Sequence, residues 1–346
     1  MTHLWLRAEP RAHETRVGLS PAGATALIAA GFQVTVEESS DRCIPTQDYV
    51  DAGCALAATA SWPNAPDDAI VFGLKELPED GTPLRHRHIM FGHAYKGQAS
   101  GRILLDRFQT GGGTLYDLEY LVSEDGRRVA AFGYWAGYAG AAMSLLAWAA
   151  QHKGTTIPDL SDVKDAPSLK SLITITLDGA KPTSLVIGAL GRVGTGARDL
   201  CTDLGLTITG WDMAETASGG PFPEILQHDV FLNCILAMPG TPVFVPMSAK
   251  TDPRQLTVIG DIACDPDSDF SPIKVYDQAT TWENPTIRVH DVPPLDVMAI
   301  DNLPSLLPRE SSEDFAAQLL PHLMGLADIE GGVWGRATAK FRDATA

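Results

Sequence analysis

The sequence predicts an α/β protein built as two Rossmann-like domains, each on a mainly parallel sheet. Three observations predict it. Short apolar runs of strand type alternate with helical signals in both halves of the chain. A glycine-rich segment lies directly between a strand and a helix in the second half. The length of 346 residues exceeds one ordinary core and suits two domains.

The first half opens with a strand over Leu4 to Leu6. In ETRVGLSPAGATALIAAGFQVTVEES, Ser20 is a good N-cap, Pro21 suits the first helical position and Gly31 suits the stop. Strands follow over Gln33 to Val36, Ala69 to Phe72 and His88 to Phe91. Ala131 to Ala150, AFGYWAGYAGAAMSLLAWAA, is 20 residues without a charge. Its length alone admits a membrane span. Its Gly and Ala content, and its isolation in the sequence, favour a closely packed buried helix. Asp159 to Lys170 reads as a polar connection. The second half then has a strand over Ser184 to Ile187, a glycine turn over Gly188 to Gly196 and a helix over Ala197 to Leu204. Further parallel strands are expected over Leu206 to Trp211, Val230 to Leu236 and Thr257 to Asp261. Ser311 to Leu326 reads as a helix with a capping box from Ser311 to Asp314.

Apolar content of 45% and charged content of 20% are those of a soluble globular chain. A formal net charge of -17 argues against nucleic acid and anionic membranes as partners. It also means that an anionic ligand needs cations placed locally. The five cysteines form no CxxC pair, so neither a metal site nor a redox motif is indicated. Scattered and odd in number, they fit reduced thiols in the cytoplasm. MTHLWLRAEPRAHE has no apolar stretch of signal-peptide type.

SLVIGALGRVGTGARDL carries the clearest mechanism. Gly188, Gly191, Gly194 and Gly196 would let the backbone approach a pyrophosphate seated on the following helix N-terminus. The spacing is G-x-x-G-x-x-G, looser than the usual fingerprint, but strand, turn, helix and strand fall in order. Asp212, 18 residues beyond Gly194, is placed to bind adenosine ribose hydroxyls and to repel a 2′-phosphate. No arginine follows it in WDMAET, so NAD is expected rather than NADP. Arg192 would contact the pyrophosphate or stay solvated.

In the first half, Lys75 and Glu76 follow one strand, while His93, Lys96 and Gln98 follow another. Ligands of open α/β sheets bind beyond the carboxyl ends of strands, so Lys75 and His93 could share a cleft. Arg16 precedes a helix, Arg127 and Arg128 precede the apolar helix, and Glu119 is a further acidic candidate. Each has a plain structural alternative: a surface ion pair, a core histidine or a solvated turn.

These residues lie within longer motifs: HLWLRAE, GLKELPED, FGHAYK, GTLYDLEYL, GRRVAAFG, GALGRVG, WDMAETASGGPF and DNLPSLLPRE. Their order resembles the NAD-dependent, lysine-forming saccharopine dehydrogenases, from residue 3 to residue 310. That family lies within the alanine dehydrogenase and transhydrogenase-like superfamily, which shares the element from Arg16 to Pro21. The resemblance implies reversible oxidative deamination of saccharopine to L-lysine and 2-oxoglutarate with NADH formation, in the α-aminoadipate route of lysine metabolism. It implies Lys75 as base for the substrate amine and His93 as the acid-base group of imine hydrolysis. Glu76 and Glu119 would moderate them. Arg16, Gln98, Arg127, Arg128 and Phe132 fall at substrate-binding positions, with Arg127 also near the cofactor. Gly191, Arg192, Asp212, Thr216 and the stretch Ile300, Asp301, Asn302, Leu303 fall at cofactor positions, beside Gly188 and Gly194 of the turn. Fungal members carry a cysteine after the glycine-turn arginine. By the resemblance that cysteine can pair with a second one further on; here Val193 stands at the first position and Cys234 at the second, so no disulfide is expected between those two sites.

The expected organisation is residues 1–131 plus 305–346 as a substrate-binding and catalytic domain, and 132–304 as an NAD-binding domain, with an active-site cleft between them. Partners are small-molecule substrates, and the assembly is a monomer or small homo-oligomer. The rival readings are another amino-acid or opine dehydrogenase of this fold, such as one acting on alanine, and a non-catalytic NAD-binding regulator.

Overall fold

The computed structural model describes all 346 residues, and they divide into two compact units: 1–132 with 308–346, and 133–307. In the first unit the elements are β1 (His3–Leu6), α1 (Pro21–Ala29), β2 (Gln33–Glu37), α2 (Thr46–Asp51), β3 (Ala55–Ala57), β4 (Ile70–Phe72), β5 (Arg87–Met90), α3 (Ala99–Gly111) and β6 (Thr114–Asp117). The six strands form one parallel sheet in the order β3-β2-β1-β4-β5-β6. The strand order reverses between β1 and β4, which makes the carboxyl ends of those two strands the natural crevice of the sheet. β4 is buried on both faces, as its IVF sequence requires. Helix α1 starts as expected: the Ser20 side chain accepts a hydrogen bond from Gly23 N, Pro21 follows, and Gly31 has φ +89°.

The second unit holds α4 (Gly133–Lys153), α5 (Ala166–Leu177), β7 (Ser184–Ile187), α6 (Arg192–Asp203), β8 (Ile208–Trp211), α7 (Met213–Thr216), β9 (Val230–Asn233), β10 (Val258–Asp261), β11 (Ile287–His290) and β12 (Leu295–Met298). Its sheet runs β11-β12-β10-β9-β7-β8, parallel except for the antiparallel edge strand β11. Here the strand order reverses between β7 and β9. The apolar segment is the core helix α4, buried continuously from Gly137 to Ala150. A Cβ on Gly137 would overlap the Val193 carbonyl, and one on Gly196 the Tyr134 carbonyl, so α4 and α6 cross backbone against backbone. No helix is long and apolar enough to cross a membrane.

The chain then returns to the first unit as α8 (Pro308–Leu323) and α9 (Gly332–Thr345). Gln318 on α8 exchanges hydrogen bonds of 3.2 Å with the Ala131 backbone, and the Trp334 indole donates to the His322 carbonyl at 2.8 Å.

Three expected boundaries are corrected. The polar connection ends at Asp165, which caps α5 in a reciprocal box with Ser168, so Lys170 is helical. The glycine turn ends at Gly191: α6 begins at Arg192, five residues before Ala197, and includes Gly194 and Gly196. α8 begins at Pro308, so Ser311 is inside the helix and fully buried rather than capping it, and the last turn beyond Leu323 is a 3-10 helix.

Candidate active site

Two charged groups meet at the carboxyl ends of the first sheet. Lys75 stands two residues beyond Gly73, at the crevice between β1 and β4. Its side chain is 17% exposed, and Nζ lies 3.8 Å from Glu14 Oε2. Glu14 is held bidentately by Arg16, at 2.8 Å from Nε and 2.6 Å from Nη2. The Arg16 guanidinium in turn lies 4.5 Å from the centroid of Phe132. Burial, and next the Arg16 charge, push the Lys75 ammonium below its ordinary pKa, against the pull of Glu14. Burial raises the Glu14 carboxyl, but hydrogen bonds from Arg16 and its charge outweigh this and hold it low. Lys75 therefore holds its proton less tightly than a solvated lysine does.

The second group centres on His93, just past β5, with φ +47°. This left-handed backbone is uncommon away from glycine. His93 Nδ1 lies 2.9 Å from Glu119 Oε2, and Nε2 lies 3.3 Å from Glu76 Oε1. Lys96 Nζ takes the other oxygen of Glu119 at 2.9 Å. Hydrogen bonding to His93, then to Lys96, holds the Glu119 carboxyl at about 2, so it accepts and Nδ1 carries the proton. The same bond raises the pKa of His93. Nε2 is then the nitrogen that gains or loses a proton. Glu76 adjoins Lys75 in the chain and so ties the two groups together. Phe91 completes the link on the other side: its ring stacks on His93 with centroids 6.2 Å apart and tilts against Phe132 at 6.4 Å.

Gln98 is the exposed residue before α3 and lines a pocket of about 150 Å³ with Glu76 and His93. Arg128 is half-buried and bridges Val122 in an antiparallel pair. Arg127 stands apart: its side chain is 87% exposed and pairs with Asp125 in the turn from Ser123. Among the expected residues of this unit, Arg16, Lys75, Glu76, His93, Gln98, Glu119 and Phe132 thus converge, and Arg127 does not. A larger cavity of about 750 Å³ lies in the other unit, near Gln151 and Asp296, and holds none of the expected residues.

Sequence reasoning missed Glu14, which orders both Arg16 and Lys75. It also missed Arg7 and Glu9, which hold the Lys75 backbone. Glu9 Oε1 accepts from Leu74 N at 2.6 Å, and Oε2 accepts from Lys75 N at 2.9 Å. Their signal was the clustering of charges in LRAEPRAHETR at the end of a strand, a pattern that a solvated loop also produces.

In the second unit, Gly188 has φ +87°, and a Cβ there would lie 2.6 Å from the Ile235 side chain. Gly191 is the N-cap of α6 and carries no side-chain cap, which leaves the helix N-terminus for an anion. A Cβ at Gly191 would meet only the Gly188 carbonyl, 3.4 Å away. Gly194 instead serves packing, because its Cβ would overlap that carbonyl. Arg192 opens the helix beside the turn. Asp212 follows β8 and accepts from Leu190 N of the turn at 3.1 Å and from Met213 N at 2.9 Å. Thr216 donates back to the Asp212 carbonyl at 3.0 Å. The turn and the carboxylate are thereby one hydrogen-bonded piece, and these residues fit a dinucleotide. Ile300 and Leu303 are buried, while Asp301 is exposed and accepts from Asn302 N, whose residue has φ +64°.

All five cysteines are free thiols. Burial pushes the Cys264 thiol up to about 12.

Comparison with known proteins places the chain. Residues 5–139 match the alanine dehydrogenase/PNT N-terminal domain family. The chain is 46% identical to a saccharopine dehydrogenase (NAD(+), L-lysine-forming) from Schizosaccharomyces pombe, over 97% of this chain and 96% of that protein. It is 45% identical to one from Yarrowia lipolytica, over 98% and 96%. An L-alanine dehydrogenase structure superposes with a TM-score of 0.68 at 18% identity, covering 99% of this chain and 93% of that one, which shows the shared two-sheet fold. On full-length identity of this order, the chain belongs to the family of NAD-dependent, L-lysine-forming saccharopine dehydrogenases.

Proposed function

We propose that the protein catalyses reversible NAD-dependent oxidative deamination of saccharopine to L-lysine and 2-oxoglutarate, with Lys75 as the base for the substrate amine and His93 as the acid-base group of hydrolysis. The observation that carries these roles is the convergence of a lysine with lowered proton affinity and a carboxylate-bracketed histidine at the carboxyl ends of β4 and β5. Neutral Lys75 takes a proton from the secondary ammonium of saccharopine. The freed nitrogen lone pair drives hydride from the adjacent carbon, leaving a protonated imine. NAD supplies the hydride acceptor. Water then attacks the imine carbon while His93 Nε2 removes a water proton. Returned to nitrogen, that proton lets the carbinolamine expel lysine, and loss of the hydroxyl proton gives the ketone of 2-oxoglutarate.

Arg16 would bind a substrate carboxylate with its planar guanidinium, with Phe132 as backing. Gln98 and Arg128 would contact other polar groups of the substrate. Glu119 fixes the His93 tautomer and, with Glu76, favours its protonated form. Gly188, Gly191 and Arg192 would hold the pyrophosphate, Asp212 the adenosine ribose, and Thr216 with residues 300–303 would complete the cofactor surface. Arg127, exposed as it stands, would engage ligand only by turning away from Asp125.

The direct test is NADH oxidation with lysine plus 2-oxoglutarate, with pyruvate plus ammonia as control. Turnover with the first pair and none above background with the second is the expected outcome. The reverse preference would make the protein an alanine dehydrogenase.

A further inference from the structure

We propose that Arg7 and Glu9 are positioning residues for Lys75, a buried ion pair that takes the place of a sheet neighbour and fixes the backbone from which the base extends. The inference rests on the reading of Lys75 as the base.

β1 and β4 pair through Leu6 and Phe72, and Arg7 N extends the ladder to the Phe72 carbonyl at 2.9 Å. Beyond that point the β1 chain turns away, with Ala8 N donating to Glu37 at 2.9 Å. Leu74 and Lys75 would then have unanswered N–H groups on that side. Both are answered by one carboxylate, Glu9. The Lys75 carbonyl is answered by Arg7 Nη2, and Arg7 Nη1 closes the loop on Glu9 Oε2 at 3.1 Å. On the other side, β5 takes the remaining groups: Gly73 N donates to Ile89 O at 3.0 Å, and Phe91 N to Leu74 O at 2.9 Å.

The device is built in depth. Arg7 is 1% exposed and Glu9 is 9% exposed at the side chain. The guanidinium lies flat against Gly73, where any Cβ would overlap it, so the glycine of GLKELPED makes room for the clamp. Glu37, fully buried, accepts from Trp5, Ala8, Ala60 and Trp62, and so fixes the loop that carries Glu9. The charges that shift the Lys75 proton most are Arg16 and Glu14, not this pair. The pair acts on where the amine stands, and through that on how far the amine is desolvated. A general base must lie within hydrogen-bond reach of its proton, and misplacement by about 1 Å costs on the order of 10²-fold in rate.

The test compares Glu9→Gln and Arg7→Lys with wild type and Lys75→Met. Gln keeps the shape of Glu9 but sets an NH2 against one backbone N–H. Lys keeps the Arg7 charge but cannot span the Lys75 carbonyl and Glu9. Saccharopine oxidation is followed across pH, with NADH titrated separately. Turnover is expected to fall by about 10²-fold in both variants. The rising limb of the profile should move to higher pH, because a released ammonium is better hydrated. NADH affinity should stay at the wild-type value. Should Glu9→Gln fail to fold, Arg7→Lys decides by the same readouts. Wild-type turnover and an unmoved limb overturn the inference. So does a fall in turnover with the limb unmoved, which would make the pair a fold element only. Wild-type turnover in Lys75→Met would instead remove the base, and this inference with it.

Discussion

At the scale of single residues, the site is a set of opposed charges whose balance sets two proton affinities. Burial depresses the Lys75 pKa first; of the two charges that act most on it, Arg16 depresses it further and Glu14 opposes that. Arg16→Ala removes the first charge and leaves Glu14 facing Lys75 alone, so both changes favour the ammonium. The rising limb of saccharopine oxidation should therefore move to higher pH in that variant. Loss of a charge-assisted contact should also weaken substrate binding by about 1.5–3 kcal/mol, read as a higher Michaelis constant with NADH affinity intact. An unmoved limb would separate Arg16 from the base. Glu119→Gln has the opposite sign for His93. The histidine pKa is raised first by its bond to Glu119, so losing that charge lowers it. The limb belonging to the hydrolytic step should then fall to lower pH, measurable in the same profile. The placement of Lys75 and His93 beyond strand ends was legible because each closely follows a short strand-type run, IVF in β4 and HIM within β5. Glu14 was not, because a carboxylate two residues before an arginine reads as a surface pair until the fold shows that both are buried.

At the scale of elements, glycine does two different jobs, and the sequence does not separate them. Gly191 leaves the α6 N-terminus open, whereas Gly194 and Gly196 sit inside α6 to admit close neighbours. Reading all of them as one turn is what displaced the expected helix start to Ala197. The same effect hid the start of α8, since buried Ser311 and Ser312 look like capping residues in sequence while Pro308 makes the true start. Where local chemistry alone decides, as in Ser20, Pro21 and Gly31 around α1, sequence and structure agree. Short elements such as β3 and the edge strand β11 carry too few apolar residues to stand out. Gly137→Ala tests the α4 and α6 crossing: overpacking against the Val193 carbonyl should cost about 1–3 kcal/mol, seen as a lower denaturation midpoint. Asp212 tests the cofactor element. Wild type should prefer NAD over NADP by at least roughly tenfold, about 1.4 kcal/mol, and Asp212→Ala should shrink the ratio. Equal efficiency in wild type would take Asp212 off the ribose.

At the scale of the whole molecule, two sheets built on one plan place different residues at the same topological position. In the first, the strand order reverses beside Lys75; in the second, it reverses beside the glycine turn. With a net charge of -17, an anionic substrate needs cations placed locally, and Arg16 and Arg128 are the ones proposed for that role. Full-length identity to lysine-forming saccharopine dehydrogenases fits this division of labour. The central claim is that Lys75 takes the amine proton. It is tested most directly by the pH profile of saccharopine oxidation in wild type and Lys75→Met, alongside NADH titration. The account predicts a turnover lower by about 10²–10⁴-fold in Lys75→Met, the loss of the rising limb that wild type shows, and unchanged NADH affinity. Near wild-type turnover with the limb still present would contradict it.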